Sequence, residues 1–180
     1  MTRRWLITAL GKDRPGIVAG VTKVLYQLGC NLEDSAMTRL EGEFAIMLIF
    51  SCPAKLTEAR LRGAFMPLER RLGLAVHLKR LRQPETATPK GRGRPHAITV
   101  YGRDKPGIVF QISGALAKRR INITDVHTHR SAGGPPWLYL MVLEVEVPSA
   151  AAKGLEPWLK QFGKKLGVEV SVRQAETEVL

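Results

Sequence analysis

The sequence predicts an α+β fold built from two copies of one small domain, and two observations carry that prediction. The segment ITALGKDRPGIV (7–18) returns as ITVYGRDKPGIV (98–109), and identities at the same offset continue as far as Arg39 and Arg130. Within each copy, apolar and β-branched runs alternate with runs that have helical spacing. A repeat this long indicates a whole domain rather than a solenoid unit.

The first copy gives six elements in the order strand, helix, strand, strand, helix, strand. Gly11 ends the first strand, and Pro15 lies at the start of the first helix, where its missing N–H costs nothing. The turn Glu41-Gly42-Glu43 separates the second and third strands. The predicted strands are Trp5–Leu10, Asn31–Leu40, Phe44–Ser51 and Leu74–Leu81, and the helices run from Pro15 to Gly29 and through Leu61, Phe65, Leu68 and Leu72 to Gly73.

The second copy repeats this order. Its predicted elements are His96–Tyr101, Ile108–Arg119, Asn122–Arg130, Trp137–Val147, Leu155–Leu166 and Val168–Arg173. The order βαββαβ is that of the ferredoxin-like unit, a four-stranded antiparallel sheet with two helices on one face. Residues 83–95 are rich in Pro, Gly and charge and are interpreted as a linker, so the predicted domains are residues 1–82 and 96–180.

The composition excludes some classes of protein and suggests others. No stretch approaches the roughly 18 apolar residues of a membrane span, and Cys30 and Cys52 fit reduced thiols, so we expect a cytoplasmic protein with no membrane partner. The net charge of +12 suggests nucleic acid as a partner. Ten basic and two acidic residues fall within 60–94. This stretch is either a solvated helix face with a linker or a surface for an acidic partner, protein or nucleic acid.

The duplicated loop Gly-[Lys/Arg]-Asp-[Arg/Lys]-Pro-Gly-Ile-Val lies between a strand and a helix. Free N–H groups and the helix dipole at this point suit a small carboxylate, and Asp13 or Asp104 could hold an ammonium group, so an amino acid fits both. The alternative is that the aspartate only caps the helix. Asn31 and Asn122 could bind a zwitterion or simply occupy a turn.

Asp34 and Asp125 lie further along the strands that Asn31 and Asn122 open. They either pair with Arg39 and Arg130 or are solvated. The sequence leaves both possibilities open.

The segments GKDRPGIV (11–18) and GCNLEDS (29–35) resemble the ACT domain family, the small-molecule sensing modules of amino-acid metabolism. Two such copies in tandem most resemble the glycine cleavage system transcriptional repressor family. The resemblance implies paired modules, hence a probable homodimer, with an amino acid such as glycine bound at the interface. It also implies repression through contact with a DNA-binding activator protein. The implied ligand-binding residues are Asp13, Arg14, Pro15, Gly16, Ile17, Val18 and Asn31, and in the second copy Asp104, Lys105, Pro106, Gly107, Ile108, Val109 and Asn122.

Catalytic and metal motifs are not found in the sequence. Ile17 and Val18 stand where a phosphate loop needs Lys and Ser or Thr, and His127 and His129 have no evident third metal ligand. Both domains are accounted for by sensor modules, so we expect neither catalysis nor a cofactor. Two other functions stay open: direct nucleic-acid binding through residues 60–94, and a regulatory subunit of an amino-acid biosynthetic enzyme. The substitution of Phe110-Gln111 for Ala19-Gly20 suggests that the two loops differ as ligand sites.

Overall fold

The computed structural model describes residues 2–81, 93–132 and 134–175. The chain divides into two compact units, Met1–Ala87 and Thr88–Leu180. Each unit contains a four-stranded antiparallel sheet in the order expected of a ferredoxin-like βαββαβ unit, which confirms the predicted fold.

The first unit contains four strands and two helices. They are β1 (Thr2–Lys12), α1 (Ile17–Gln27), β2 (Asn31–Leu40), β3 (Glu43–Pro53), α2 (Glu58–Leu72) and β4 (Ala75–Leu81). The second unit repeats them as β5 (Arg94–Arg103), α3 (Ile108–Lys118), β6 (Asn122–Arg130), β7 (Leu138–Val147), α5 (Leu155–Leu166) and β8 (Val168–Gln174). It adds one short helix that was not predicted, α4 (Ser149–Ala152).

Strand order is β2-β3-β1-β4 in the first sheet and β6-β7-β5-β8 in the second, so β2 and β6 are edge strands. Alternate residues of the central strands face the helices and form the core: Trp5, Ile7 and Ala9 of β1 are buried, as are Ile98 and Val100 of β5. All ten residues of β2 are exposed, whereas the opposite edge strand β4 contributes the buried Leu78 to the core.

Several boundaries differ from the sequence prediction. β1 runs from Thr2 to Lys12, so Gly11 lies within the strand and pairs with Phe44 instead of ending it. β5 begins at Arg94, inside the range assigned to the linker, because Arg94 and Pro95 already pair with Val147 and Glu146 of β7. The rest of that range, residues 83–92, lies outside the described residues, so the linker stays a prediction. α2 contains Pro67 in its interior, with Thr57 capping its start and Gly73 its end. Within the described ranges, no helix is both long enough and apolar enough to cross a membrane.

Candidate functional site

The loop between β1 and α1 is anchored by the hairpin that follows β2. The N–H of Asp13 donates to the carbonyl of Gly42 at 2.8 Å. Glu41 and Gly42 both have positive φ, the pattern of a type I′ turn, which holds this carbonyl against the loop. The hairpin therefore fixes the position of Asp13 relative to the start of α1.

The start of α1 has no side-chain cap. Gly16 is the N-cap residue, with a left-handed φ of 93°, and no side chain accepts a hydrogen bond there. Its carbonyl accepts the N–H of Gly20 at 2.8 Å, so the N–H groups of Ile17 and Val18 have no intrahelical partner. The alternative in which Asp13 caps the helix is wrong, and the helix end is left open to an anion.

A groove of about 650 Å³ lies beside this helix start. It is lined by Asp13, Arg14, Pro15, Gly16, Ile17, Val18, Ala19, Thr22, Met37, Arg39 and Phe44. The first six of these were singled out in the sequence as one contiguous candidate site. The groove thus combines an open helix N-terminus with one carboxylate, two guanidinium groups and an apolar floor.

Arg39 lies near the C-terminal end of β2 and lines the groove. It stands opposite the buried Phe44, so its side chain lies on the helix side of the sheet. Its Nη1 is 3.0 Å from Oδ2 of Asp13, in an ion pair whose guanidinium side chain is 68% exposed. A pair between Arg39 and Asp34 is therefore not formed. The Asp34 carboxylate instead accepts the N–H of Ser35 at 2.8 Å.

Asn31 is not brought to the groove within its own unit. It is the first residue of β2 and pairs with Ser51, whereas Arg39 is near the other end of that strand. Eight residues of strand separate the two, roughly 26 Å at about 3.3 Å per residue. Neither Asn31 nor Asn122 has positive φ, so the interpretation as left-handed turn residues is wrong.

The second loop has the same backbone but different side chains around it. The N–H of Asp104 donates to the carbonyl of Trp137 at 2.8 Å, and Gly107 starts α3 with a φ of 94°. Gln111 places its Nε2 3.5 Å from the position that a Cβ on Gly107 would take. Phe110 is 78% exposed beside it. A groove of about 380 Å³ in this unit lies elsewhere, lined by Tyr101, Gly102, Lys164, Gly167, Val168 and Glu169.

Asp125, His127 and Arg130 of β6 have partners close to them in the second unit. The Asp125 carboxylate accepts the N–H of Val126 at 2.7 Å and lies 3.1 Å from Nε2 of His127. Arg130 does not pair with Asp125, since its guanidinium stacks 4.7 Å from the centre of the Trp137 ring. Within residues 2–81, 93–132 and 134–175, no group of three or more His, Cys, Asp and Glu side chains is placed to hold a metal.

The two cysteines are both reduced and lie near each other. Cys52 is buried on the helix side of β3, and Cys30 is partly buried against the same core. Burial, and after it the nearby Cys52 thiol, raises the pKa of Cys30 to about 11. Burial also raises the pKa of Cys52. Both thiols are therefore protonated at neutral pH.

The cations of the basic stretch 60–94 are exposed wherever they are described. Arg62 pairs with Glu58 at 3.0 Å along α2, and Glu69 accepts the N–H of Val76 at 3.0 Å at the edge strand β4. The exposed cations on these two elements are Arg60, Arg62, Arg70, Arg71, Lys79 and Arg80. They are spread over α2 and β4 and do not line the groove.

Comparison with known proteins gives two matches to family models. Both models are described as ACT domain, and they cover residues 3–79 and residues 96–154. The crystal structure of an unknown protein from Galdieria sulphuraria has a TM-score of 0.80 and 26% identity, over 98% of this chain and 100% of that one. Its likeness extends over both units.

Curated relatives that match most of the chain include a transcriptional repressor and an enzyme. The glycine cleavage system transcriptional repressor of Escherichia coli (strain K12) is 26% identical over 175 residues, 93% of this chain and 87% of that protein. A phosphoserine phosphatase of Mycobacterium tuberculosis is 31% identical over 175 residues, which is 93% of this chain but 40% of the phosphatase. With an ACT match in each of its two βαββαβ units, the chain belongs to the ACT domain family.

Proposed function

We propose that the chain is a non-catalytic sensor of a small amino acid, glycine or one of similar size. The observation that carries the proposal is the groove at the start of α1, where Asp13, Arg39 and the open helix end meet. These groups match the two charges of a zwitterion. The N–H groups of the helix start and the Arg39 guanidinium suit a carboxylate, and Asp13 suits an ammonium group.

The size of the ligand follows from the lining. Ala19, Met37 and Phe44 give the groove an apolar floor, so a short side chain can be accommodated next to the two polar ends of the ligand. Gly16 has no heavy atom within 4 Å of the position where a Cβ would stand, so a ligand can approach the backbone there. We therefore favour glycine, alanine or serine over larger amino acids.

We propose further that a second ACT domain completes the site. β2 is an edge strand whose residues are all exposed, and its backbone groups are available to another strand. When two edge strands pair about a two-fold axis they run antiparallel, so the start of one meets the end of the other. Asn31 of one copy would then lie near Arg39 of the next. This arrangement would form a homodimer through β2 and would bring Asn31 to the site.

The downstream role is proposed from the similarity to the glycine cleavage system transcriptional repressor. We propose that the chain acts in the cytoplasm on the transcription of genes of amino-acid metabolism, and that it does so through a DNA-binding activator protein. Residues 1–82 and 94–180 would form the two ACT domains, joined by a linker within residues 83–93. Binding of the amino acid would change the surface that the partner protein meets.

Titration calorimetry on the full chain tests the sensing function. Glycine, L-alanine, L-serine, L-phenylalanine and L-glutamate would be titrated separately, with sedimentation velocity on the same samples. Saturable heat with one of the three small amino acids, on a dimer, is the expected result. Absence of heat and of thermal shift with every amino acid would sink the proposal. Binding only to L-phenylalanine or L-glutamate would remove the size argument.

A second candidate function is regulation of an amino-acid biosynthetic enzyme. The match to the phosphoserine phosphatase favours it, because that protein contains a region similar to nearly the whole of this chain. Affinity capture with the full chain from its own cells, followed by identification of the bound protein, separates the two. A transcription factor supports the first function, and a biosynthetic enzyme supports the second.

A further inference from the structure

We propose that only the first ACT domain holds the amino acid, and that Arg39 is the residue that selects its carboxylate. The inference rests on the proposed sensing function and goes further, because it assigns the site to one of two loops that the repeat makes almost identical. Three differences between the copies support the inference. They are the ion pair of Arg39, the stacking of Arg130 on Trp137, and the presence of Gln111 where the first copy has Gly20.

Arg39 is placed to bind the carboxylate of a ligand in addition to, or instead of, Asp13. Arg39 lines the groove, only its Nη1 bonds to Asp13, at 3.0 Å, and its side chain is 68% exposed, so the guanidinium has further N–H donors to offer a ligand. An exposed pair of this kind contributes little to stability and is opened easily. A bound amino acid would give Arg39 a carboxylate and Asp13 an ammonium group, so one ion pair would become two. The planar guanidinium can bind the carboxylate through two parallel hydrogen bonds.

The equivalent arginine of the second copy is engaged elsewhere. Arg130 corresponds to Arg39 in the repeat, and its guanidinium lies 4.7 Å from the centre of the Trp137 ring. Trp137 occupies the structural position of Gly42, since the carbonyls of these two residues accept the N–H groups of Asp104 and Asp13. Trp in place of Gly therefore provides the aromatic face that attracts Arg130. The second loop has an aspartate without the arginine beside it.

A ligand also has less room to approach the backbone of the second loop than that of the first. Gln111 stands where the first copy has Gly20, and its amide nitrogen lies 3.5 Å from the position of a Cβ on Gly107. The corresponding space at Gly16 is open. Gln111 thus lies over the backbone that a ligand would have to approach.

The repeat provides a matched control for the experiment. Arg39→Ala, Arg39→Lys and Arg130→Ala would be compared with the unmodified full chain by titration calorimetry. The probes are glycine, L-alanine and L-serine, each paired with its α-amide, which keeps the ammonium group and lacks the carboxylate. Thermal unfolding of each variant shows whether it is folded.

Arg39→Ala should weaken binding of the acid about 10- to 100-fold, the usual effect of losing a hydrogen-bonded charge, and should reduce the preference for acid over amide to what the helix N–H groups supply. Arg39→Lys should restore part of both, and Arg130→Ala should change neither. Stoichiometry should be one amino acid per chain. Equal losses in the two alanine variants, or a larger loss with Arg130→Ala, would overturn the inference and leave the sensor intact. Failure of the unmodified chain to bind any probe would overturn the sensor itself.

Discussion

Arg39 and Asp13, 26 residues apart in the chain, meet across the groove with Nη1 and Oδ2 at 3.0 Å. The contact exists because the two-residue hairpin turn at Glu41 and Gly42 brings the end of β2 back against the loop that follows β1. The Arg39 guanidinium and the Asp13 carboxylate therefore lie together in the groove. They are next to N–H groups at the start of α1 that have no intrahelical partner. Such an arrangement complements a zwitterion better than it complements either an anion or a cation alone.

Replacing Asp13 with alanine removes the group that we assign to the ligand's ammonium. Affinity for the small amino acid should fall about 10-fold or more, because a charge-assisted hydrogen bond is lost. The free energy of unfolding should change by less than about 1 kcal/mol, since the pair with Arg39 is exposed. Calorimetry and thermal unfolding measure the two quantities. Asp104→Ala is the control, and a similar loss there would argue for two equivalent sites.

Gly16→Ala tests the backbone of the loop. Gly16 has a φ of 93°, a conformation that L-residues avoid, so the substitution should destabilise the chain by about 1–2 kcal/mol. Gly63→Ala is the matched control, because Gly63 lies in α2 with no atom within 4 Å of the new methyl group. That change should stabilise the chain by about 0.5–1 kcal/mol. Urea unfolding decides both, and a neutral Gly16→Ala would show that the loop relaxes without strain.

The stability of the chain and the reactivity of the Cys30 thiol should both change at alkaline pH. The pKa of this thiol is raised to about 11 from an ordinary value of 9.0, so the unfolded thiol loses its proton first as the pH rises. The folded state then binds more protons, and stability should fall between about pH 9 and pH 11. Iodoacetamide should react slowly at pH 8 and faster towards pH 11. Cys30→Ser should reduce both effects to the contribution of Cys52, and a reaction profile with its midpoint near pH 9 would contradict the assigned burial.

Binding to arbitrary duplex DNA should be weak near physiological ionic strength. The described cations of the stretch 60–94 are spread over α2 and β4, and Arg62 is already paired with Glu58. Any contact with phosphates would then be electrostatic and would weaken steeply with added salt. Fluorescence anisotropy from 50 to 200 mM salt measures the dependence. Tight, sequence-selective binding at the upper end would favour the nucleic-acid function instead.

Much of the fold could be predicted because it depends on local signals. Gly73 ends α2 as expected, and the repeat of residues 7–39 at 98–130 indicates two domains, whereas β1 continues through Gly11 to Lys12. The start of β5 was placed two residues late, because pairing of Arg94 with Val147 is a long-range contact that no local pattern reports. The short helix α4 lies in a run of small residues without helical spacing and was missed for that reason.

The candidate site was predictable only in part. Residues Asp13–Val18 are contiguous in sequence and line one groove, as their order suggested. Arg39, Met37 and Thr22 were missed as groove residues, because their contribution depends on how β2 folds back and on which side of α1 faces it. The identity of Arg39 with Arg130 was visible, yet their different partners were not. The cause is Trp137 in the position of Gly42. That equivalence depends on the hydrogen bonds from the N–H groups of Asp104 and Asp13, which the sequence does not reveal.

Backbone amide shifts of the full chain during a glycine titration test the central claim most directly. We predict that the amides of Gly16, Ile17 and Val18 shift together and saturate at one ligand per chain. The amides of Gly107 and Ile108 should stay unchanged. Shifts confined to Gly102 and Gly167, or to the second loop, would contradict the assignment of the site. The absence of any shift at millimolar glycine, L-alanine and L-serine would contradict amino-acid sensing by this chain.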